Sequence, residues 1–272
     1  MQKMALPQKL GKKSVSKVFE LFEMTYKITF YADEDNIGSN SYSLLVIGGK
    51  SDNYNKLSPV MINVEKDDTI YVEECGNKEG YDFREYPVGD FLNSSLVLCG
   101  ESDCLLFEKI GHRKINFTSN SKRKYASSIK LNESFLWITG GYHDTYPYQQ
   151  LNSTEIISTG GATESINLPF TVYGHCMIKY SQNKVLLIGG VQNKTRRSER
   201  TWIIDLVDFN FTEGPLLIKG RHNPMCGKMK DKLGNTIIIV VGGQYENLVE
   251  VLNTTTMDEW KSGNVLYFMY SE

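Results

Sequence analysis

The sequence predicts an all-β protein built as a β-propeller, and a few linked observations carry that prediction. Apolar, β-branched runs recur, and each ends on a glycine pair: LLVIGG at Gly49, LWITGG at Gly141, VLLIGG at Gly190 and IIVVGG at Gly243. A degraded copy, LVLCG, ends at Gly100 with Cys99 in the place of the first glycine. Successive anchors are 51, 41, 49 and 53 residues apart, a spacing that marks a repeat architecture. The runs are too short for ordinary helices and rich in strand formers. Strand-rich repeats of about 50 residues read as four-stranded blades set radially.

Placing the glycine pair after the second strand divides each repeat into strands a to d, from the axis outward. The first two repeats, over 26–75 and 85–119, are the weakest, with strands b expected at 44–48 and 96–99. The third, over 125–168, reads as a at 125–131, b at 135–140, c at 154–158 and d at 164–168. The fourth, over 175–213, has a in HCMIKY (175–180), b at 184–189, c at 202–206 and d at 209–213, with Ser181-Gln182-Asn183 as a polar turn. The fifth, over 225–263, repeats it with a at 225–230, b at 236–242, c at 248–253 and d at 258–263. Residues 1–16 read as an irregular basic segment and 17–272 as the propeller. Within it, KVFELFE (17–23) reads as a strand or a helical turn and VLYFMY (265–270) as a strand. These two leftovers suggest a partial sixth blade closed by both termini, which would cover two exposed sheet edges. A five-bladed ring with spare strands, or a fragment, fits the same count.

Composition narrows the function classes. The chain has 272 residues, 30 basic and 32 acidic, for a net charge of −2, so no general attraction to nucleic acid or anionic lipid is expected. Its apolar runs fall short of the roughly 20 residues of a membrane helix. The first residues, MQKMALPQKLGKKSVSK, lack the apolar core and cleavage site of a secretory signal. Five cysteines (Cys75, Cys99, Cys104, Cys176 and Cys226) form no set of zinc-ligand spacings and read as reduced, buried thiols. A cytoplasmic protein with no metal and no cofactor is the resulting expectation.

Seven N-x-S/T sequons point the other way, at Asn93, Asn116, Asn132, Asn152, Asn193, Asn210 and Asn253. Random order of the 20 asparagines and 39 serines and threonines would give about three. Sequons matter only in a secreted protein, and Asn132, Asn152 and Asn253 also suit ordinary turns at strand edges.

The repeat pattern resembles the kelch family. A kelch repeat carries a glycine pair after strand b and a tryptophan on strand d, followed by Gly-Pro and Leu. Trp260-Lys-Ser-Gly263-Asn-Val-Leu266 matches this in the fifth repeat, and Phe211-Thr-Glu-Gly214-Pro215-Leu-Leu217 in the fourth with Phe in the tryptophan place. Gly174-His175-Cys176 before strand a and Ser153-Thr154-Glu155 at strand c also look like family features. The resemblance spans about residues 26–266 and is weakest in the second repeat. It implies structural roles for the glycine pairs and for Phe211 and Trp260 between blades, and a non-catalytic scaffold that presents a loop face to a protein or peptide. Many family members present substrates to a cullin-based ubiquitin ligase through a BTB domain. The residues ahead of the first repeat are too few for one, so a cullin-ligase role is expected only if this chain is a fragment or acts through a separate partner.

Alternating strand direction sends the b–c and d–a loops to one end of every blade and the a–b and c–d turns to the other. The b–c loops are long, and long loops on a rigid scaffold concentrate binding residues. Three basic segments fall at that end: Lys122, Arg123 and Lys124; Arg196, Arg197 and Arg200; and Arg221 with His222. Arginines there suit an acidic or phosphorylated peptide, although loop charges are often only solvated. Tyr142, Tyr146 and Tyr148 share the third b–c loop and suit a partner surface, or fold back over the blade edge. Asp33-Glu34-Asp35 and Asp67-Asp68 fall at the opposite end. A metal-oxidase reading needs two histidines at the axis, and only His175 begins a strand a; it reads as a structural histidine. No acid/base constellation of a sugar-processing enzyme stands out, and a secreted, glycosylated propeller is the chief alternative to the cytoplasmic scaffold.

Overall fold

The computed structural model describes residues 27–31, 42–47, 60–64, 70–74, 88–93, 95–100, 103–107, 112–116, 122–143, 148–193, 196–231, 233–244 and 248–263. The chain forms two compact units, Met1–Pro87 and Val88–Glu272. In the first, Lys27–Tyr31, Tyr42–Ile47, Val60–Val64 and Ile70–Glu74 pair in sequence order as a four-stranded antiparallel sheet. This is the four-strand parse of the first repeat. The expected segments 17–23 and 265–270, the closing sixth blade and the acidic turns Asp33–Asp35 and Asp67–Asp68 lie outside the described residues.

The second unit is all β and holds four four-stranded antiparallel sheets arranged as a propeller. The second repeat supplies Val88–Leu92, Ser95–Cys99, Asp103–Phe107 and His112–Asn116. The third supplies Ser127–Asn132, Phe135–Thr139, Thr154–Ser158 and Gly161–Glu164. The fourth supplies Cys176–Ser181, Lys184–Ile188, Thr201–Asp205 and Phe211–Glu213. The fifth supplies Met225–Lys230, Thr236–Val241, Val249–Asn253 and Lys261–Gly263. In every sheet the strands lie in the order a-b-c-d, and the a strands of consecutive repeats pack beside one another as the inner edge.

The core follows from strand periodicity. Alternate residues of a strand face opposite sides of its sheet, and an inner blade has a neighbour on each side. Val185 and Leu187 therefore enter the cluster between the third and fourth repeats with Trp137 and Ile204. Leu186 and Ile188 enter the one between the fourth and fifth repeats with Ile238 and Leu252. Leu136 and Ile138 join the second-repeat residues Val97 and Leu106 in a third cluster. A strand buried on both faces reads as an unbroken apolar run, which is why the b strands look as they do. Each fully buried Leu or Ile stabilises the fold by about 1.5–3 kcal/mol.

Aromatics reinforce these interfaces as the repeat pattern predicts. Trp260 is buried in the fourth–fifth cluster, and its indole N–H donates to the Pro215 carbonyl at 3.1 Å. Phe211, its counterpart one repeat earlier, is half-buried beside Phe170, which stacks on Trp202 at 4.6 Å between ring centroids.

Strand a of the third repeat starts at Ser127 rather than 125, strands d of the fourth and fifth start at Phe211 and Lys261 rather than 209 and 258, and two further readings change more. Strand d of the third repeat is Gly161–Glu164, not 164–168, because Ser158 pairs directly with Gly161 across a two-residue turn. In the second repeat, Cys99 is not a replaced glycine. It pairs with Val88 as Thr139 pairs with Ser127, so it ends strand b and Gly100 takes the first-glycine place. The Gly100 N–H donates to the Asp103 carbonyl at 2.9 Å, matching Gly140 to Ser153 and Gly189 to Arg200 at 3.1 Å each. The cysteines also depart from separate thiols. Cys99 is bonded to Cys104, its direct cross-strand partner, and Cys176 to Cys226, joining the inner strands of the fourth and fifth repeats.

In the third and fourth repeats the second glycine of the pair links one blade to the next. The Gly141 N–H donates to the Val172 carbonyl and the Gly190 N–H to the Arg221 carbonyl, each at 2.8 Å and each in the following repeat. At Gly190 φ is +83°, and a Cβ would stand 2.7 Å from the Tyr173 carbonyl oxygen and 2.9 Å from the His175 Cβ. Gly190→Ala should cost about 1–2 kcal/mol from the left-handed backbone alone. The close approach adds to that, and a lowered urea midpoint against wild type measures it.

Candidate functional site

Strand a of each repeat is entered by a short segment whose positions are equivalent from repeat to repeat. Counting back from the start of strand a, the fourth residue is Arg123, Val172 or Arg221; the third is Lys124, Tyr173 or His222; the second is Tyr125, Gly174 or Asn223. The blade-to-blade bonds that end on Val172 and Arg221 confirm the alignment.

The second-place residues form a chain of left-handed residues near the inner edge. Their φ values are 56°, 61° and 55°. The Gly174 N–H donates to the Tyr125 carbonyl, and the Asn223 N–H to the Gly174 carbonyl, both at 2.7 Å. Glycine is needed in the middle of this chain, because a Cβ on Gly174 would overlap the His222 ring.

Above it four rings converge from consecutive repeats. Tyr173 lies 5.9 Å from Tyr125, 5.2 Å from Tyr142 and 5.2 Å from His222 between centroids, and Tyr125 lies 5.6 Å from His222. All four are half-buried. Burial raises the Tyr173 pKa, and Tyr142 adds to the rise. Burial is the largest influence on His222 and lowers its pKa; the bond between its Nδ1 and the Gln244 amide oxygen at 3.2 Å opposes this, and the charge of Arg197 adds to it.

The basic residues divide into two groups. Arg123 and Arg221 do not belong to the surface patch the sequence suggests, being 2% and 0% exposed. Arg221 donates through Nε and Nη2 to Glu250 Oε1 at 3.0 and 2.8 Å, through Nη2 to the Leu248 carbonyl at 2.7 Å and through Nη1 to the Gly242 carbonyl. The other Glu250 oxygen accepts the Ile218 N–H at 2.6 Å. Arg123 repeats the clamp on Glu155 Oε1 at 3.0 Å and on the Gly140 and Ser153 carbonyls at 3.1 and 3.0 Å. Burial lowers the Arg123 pKa, and Glu155 counters through its charge and hydrogen bond. The fourth repeat places Val172 and Trp202 at the equivalent positions, in one apolar cluster. The buried arginines are thus blade clamps: each ties the entry segment to the glycine carbonyl and the start of strand c, and so positions one ring of the cluster, Tyr125 two residues after Arg123 and His222 directly after Arg221.

The other predicted residues are placed as follows. Lys122, Arg196 and Arg197 are exposed. Lys124 is half-buried and exchanges both backbone hydrogen bonds with Tyr142, at 2.9 and 2.7 Å. Arg200 is exposed and ion-paired with exposed Glu213 at 3.4 Å. Tyr148 is 69% exposed and stands apart from the described ring contacts, and Tyr146 lies outside the described residues. His175 is buried, with Nε2 2.8 Å from the Thr139 hydroxyl of the preceding repeat, as expected of a structural histidine. Tyr125 and Tyr173 were not singled out by the sequence reading. The signal for them was positional, since they occupy the entry places of Lys124, His222 and Asn223.

The class defined by this architecture is the β-propeller, with a cluster of aromatic and basic residues on its b–c and d–a loops. No family model matches the chain, and no curated protein matches it.

Two outcomes follow from the clamp and the ring cluster. Glu250→Ala leaves the Arg221 charge buried without its carboxylate and should destabilise the fold by about 3–5 kcal/mol in urea unfolding. His222 has a folded pKa below its ordinary 6.5, so the unfolded chain takes up the proton first on acidification. Its contribution is full above 6.5 and is lost as pH falls through the folded value. An NMR titration should place the His222 midpoint below 6.5, and His222→Gln should flatten the acid loss of stability in that window.

Proposed function

We propose that this chain is a kelch-type propeller acting as a non-catalytic protein-interaction module, with the b–c and d–a loop end as its binding surface. The observation that carries the reading is the cluster of Tyr125, Tyr142, Tyr173 and His222, drawn from three consecutive repeats and accompanied at the same end by exposed Lys122, Arg196 and Arg197. Tyrosine supplies rigid contact area at low entropic cost and is a frequent interface anchor. Arginine adds bidentate bonds to carboxylate or phosphate. The partner of best fit is an acidic or phosphorylated segment of a protein, and a substrate-adaptor role would use the same contacts. The kelch assignment rests on the glycine pairs, on Trp260 and Phe211 at equivalent places, and on Gly214-Pro215-Leu216-Leu217. Arg123 and Arg221 enter as clamps rather than as partner contacts.

The test is affinity capture from the cells that make the protein, with the wild-type chain and an Arg196→Glu/Arg197→Glu variant as baits. Both arginines are exposed, so the variant should keep the wild-type urea midpoint. Loss of charge-assisted bonds should weaken partner binding about tenfold or more. Recovery of the same partners at the same strength by both baits removes the basic residues from the binding surface.

A further inference from the structure

Two features unrelated to the loop surface converge on where this protein matures. The first is covalent. Cys176 opens strand a of the fourth repeat and Cys226 is the second residue of strand a of the fifth. They are 50 residues apart in sequence and 6.1 Å apart between Cα atoms, and their sulfurs are bonded. This separation lies inside the ordinary disulfide range, so the bridge requires no displacement of the two strands. Cys99 and Cys104 form a second pair within one blade, so four of the five cysteines are oxidised. Persistent structural disulfides belong to oxidising compartments. The cytoplasmic expectation rested on unpaired thiols, and the pairs remove that ground.

The second feature is the exposure of the sequons. Asn93 lies in the a–b turn of the second repeat, Asn132 ends strand a of the third at its a–b turn, and Asn210 lies in the c–d turn of the fourth. All three are exposed. Asn93 adopts φ 47°, a turn conformation asparagine tolerates. By strand direction all three stand at the end opposite the ring cluster. The loop end carries Asn116, Asn193 and Asn152: the first two are exposed, whereas Asn152 is half-buried and its amide donates to the Leu168 carbonyl at 3.2 Å, bracing the start of strand c. A sugar on that half-buried nitrogen would disturb the bond, whereas the Asn210 amide donates to the exposed Asp208 carboxylate of its own turn.

We infer that the protein folds in an oxidising, glycosylating compartment, stapled by Cys176–Cys226 and carrying N-linked glycans on the turn end at Asn93, Asn132 and Asn210. The inference goes beyond the binding proposal and stands whether or not that proposal holds. In the disulfide step two thiols lose two electrons and two protons by exchange with the disulfide of a thiol oxidoreductase, which becomes a dithiol. In the glycan step the asparagine nitrogen displaces a polyprenyl pyrophosphate from C1 of its oligosaccharide. The new bond is N–C1, the broken bond is C1–O, and the amide loses one proton.

The experiment uses the full chain isolated from the cells that make it. Free thiols are alkylated before lysis, the protein is digested without reductant, and glycans are released by an amidase in heavy-oxygen water. Mass spectrometry then reads which cysteines are linked and which asparagines have become labelled aspartate. The expected result is a linked Cys176–Cys226 peptide, labelled aspartate at one or more of positions 93, 132 and 210, and none at 152. Alkylated Cys176 and Cys226, or unlabelled asparagine at all three turn positions, overturns the inference.

Discussion

The hydrogen bonds from Gly141 and Gly190, the second glycines of the third and fourth repeats, to the entry carbonyl of the following repeat are the constraint on which the packing of the third, fourth and fifth repeats depends. A four-stranded blade is hydrogen-bonded within itself, and side chains with a few main-chain bonds of this kind, among them Gly174 to Tyr125 and Asn223 to Gly174, tie it to its neighbour. Gly141 reaches Val172 and Gly190 reaches Arg221, so each strand b sets the start of the next strand a. Side-chain packing between sheets would tolerate sliding, because apolar contact is not directional. A backbone bond at 2.8 Å tolerates far less, and it requires a residue without a Cβ at the crossing point. The apolar clusters between blades are therefore held in one registration by a handful of main-chain contacts near the inner edge.

The same entry segment carries scaffold and surface residues side by side. Arg221 is wholly buried, while His222 beside it joins the ring cluster. Arg123 and Lys124 divide the same way. Clamping by Arg–Glu is one solution, and the apolar Val172 with Trp202 is another at the same place. Exchange of a buried ion pair for packed apolar groups often leaves stability little changed, so the repeats are free to differ there. The glycine bond and the chain of left-handed residues through Tyr125, Gly174 and Asn223 persist in both versions. The ring cluster is thus built on main-chain geometry, and its side chains vary without moving the frame.

The two ends of the blades differ in their side chains. The b–c and d–a loops bring together aromatic rings and basic side chains beside exposed Asn116 and Asn193, whereas the a–b and c–d turns hold exposed Asn93, Asn132 and Asn210. Antiparallel strand order produces this separation, since every second connection returns to the same end. The Cys176–Cys226 bridge lies on the inner strands between these ends and couples two blades that carry the ring residues Tyr173 and His222.

The strands were legible in the sequence because their signals are local. Glycine spacing, β-branched runs and turn residues placed every described strand b within two residues of its observed start. The third d strand slipped because a two-residue hairpin at Thr159–Gly160 left no polar stretch to mark the turn. The candidate site was legible only in outline. Loop charge singled out one end of the blades, but exposure is not a property of residue type, so Arg123 and Arg221 were grouped with Arg196 and Arg197. Their burial depends on Glu155 and Glu250, which lie 32 and 29 residues away and become neighbours only when strand c packs beside strand b. The pairing of Cys176 with Cys226 and the meeting of Tyr125, Tyr173 and His222 likewise join residues of different repeats. The sequence by itself determined an all-β repeat and the period of its strands, because hydrophobic alternation and glycine act within a few residues. Tertiary structure alone decided which cations are clamps, which cysteines are bonded and which rings converge, because each depends on distances between chain segments that only closure of blade on blade defines.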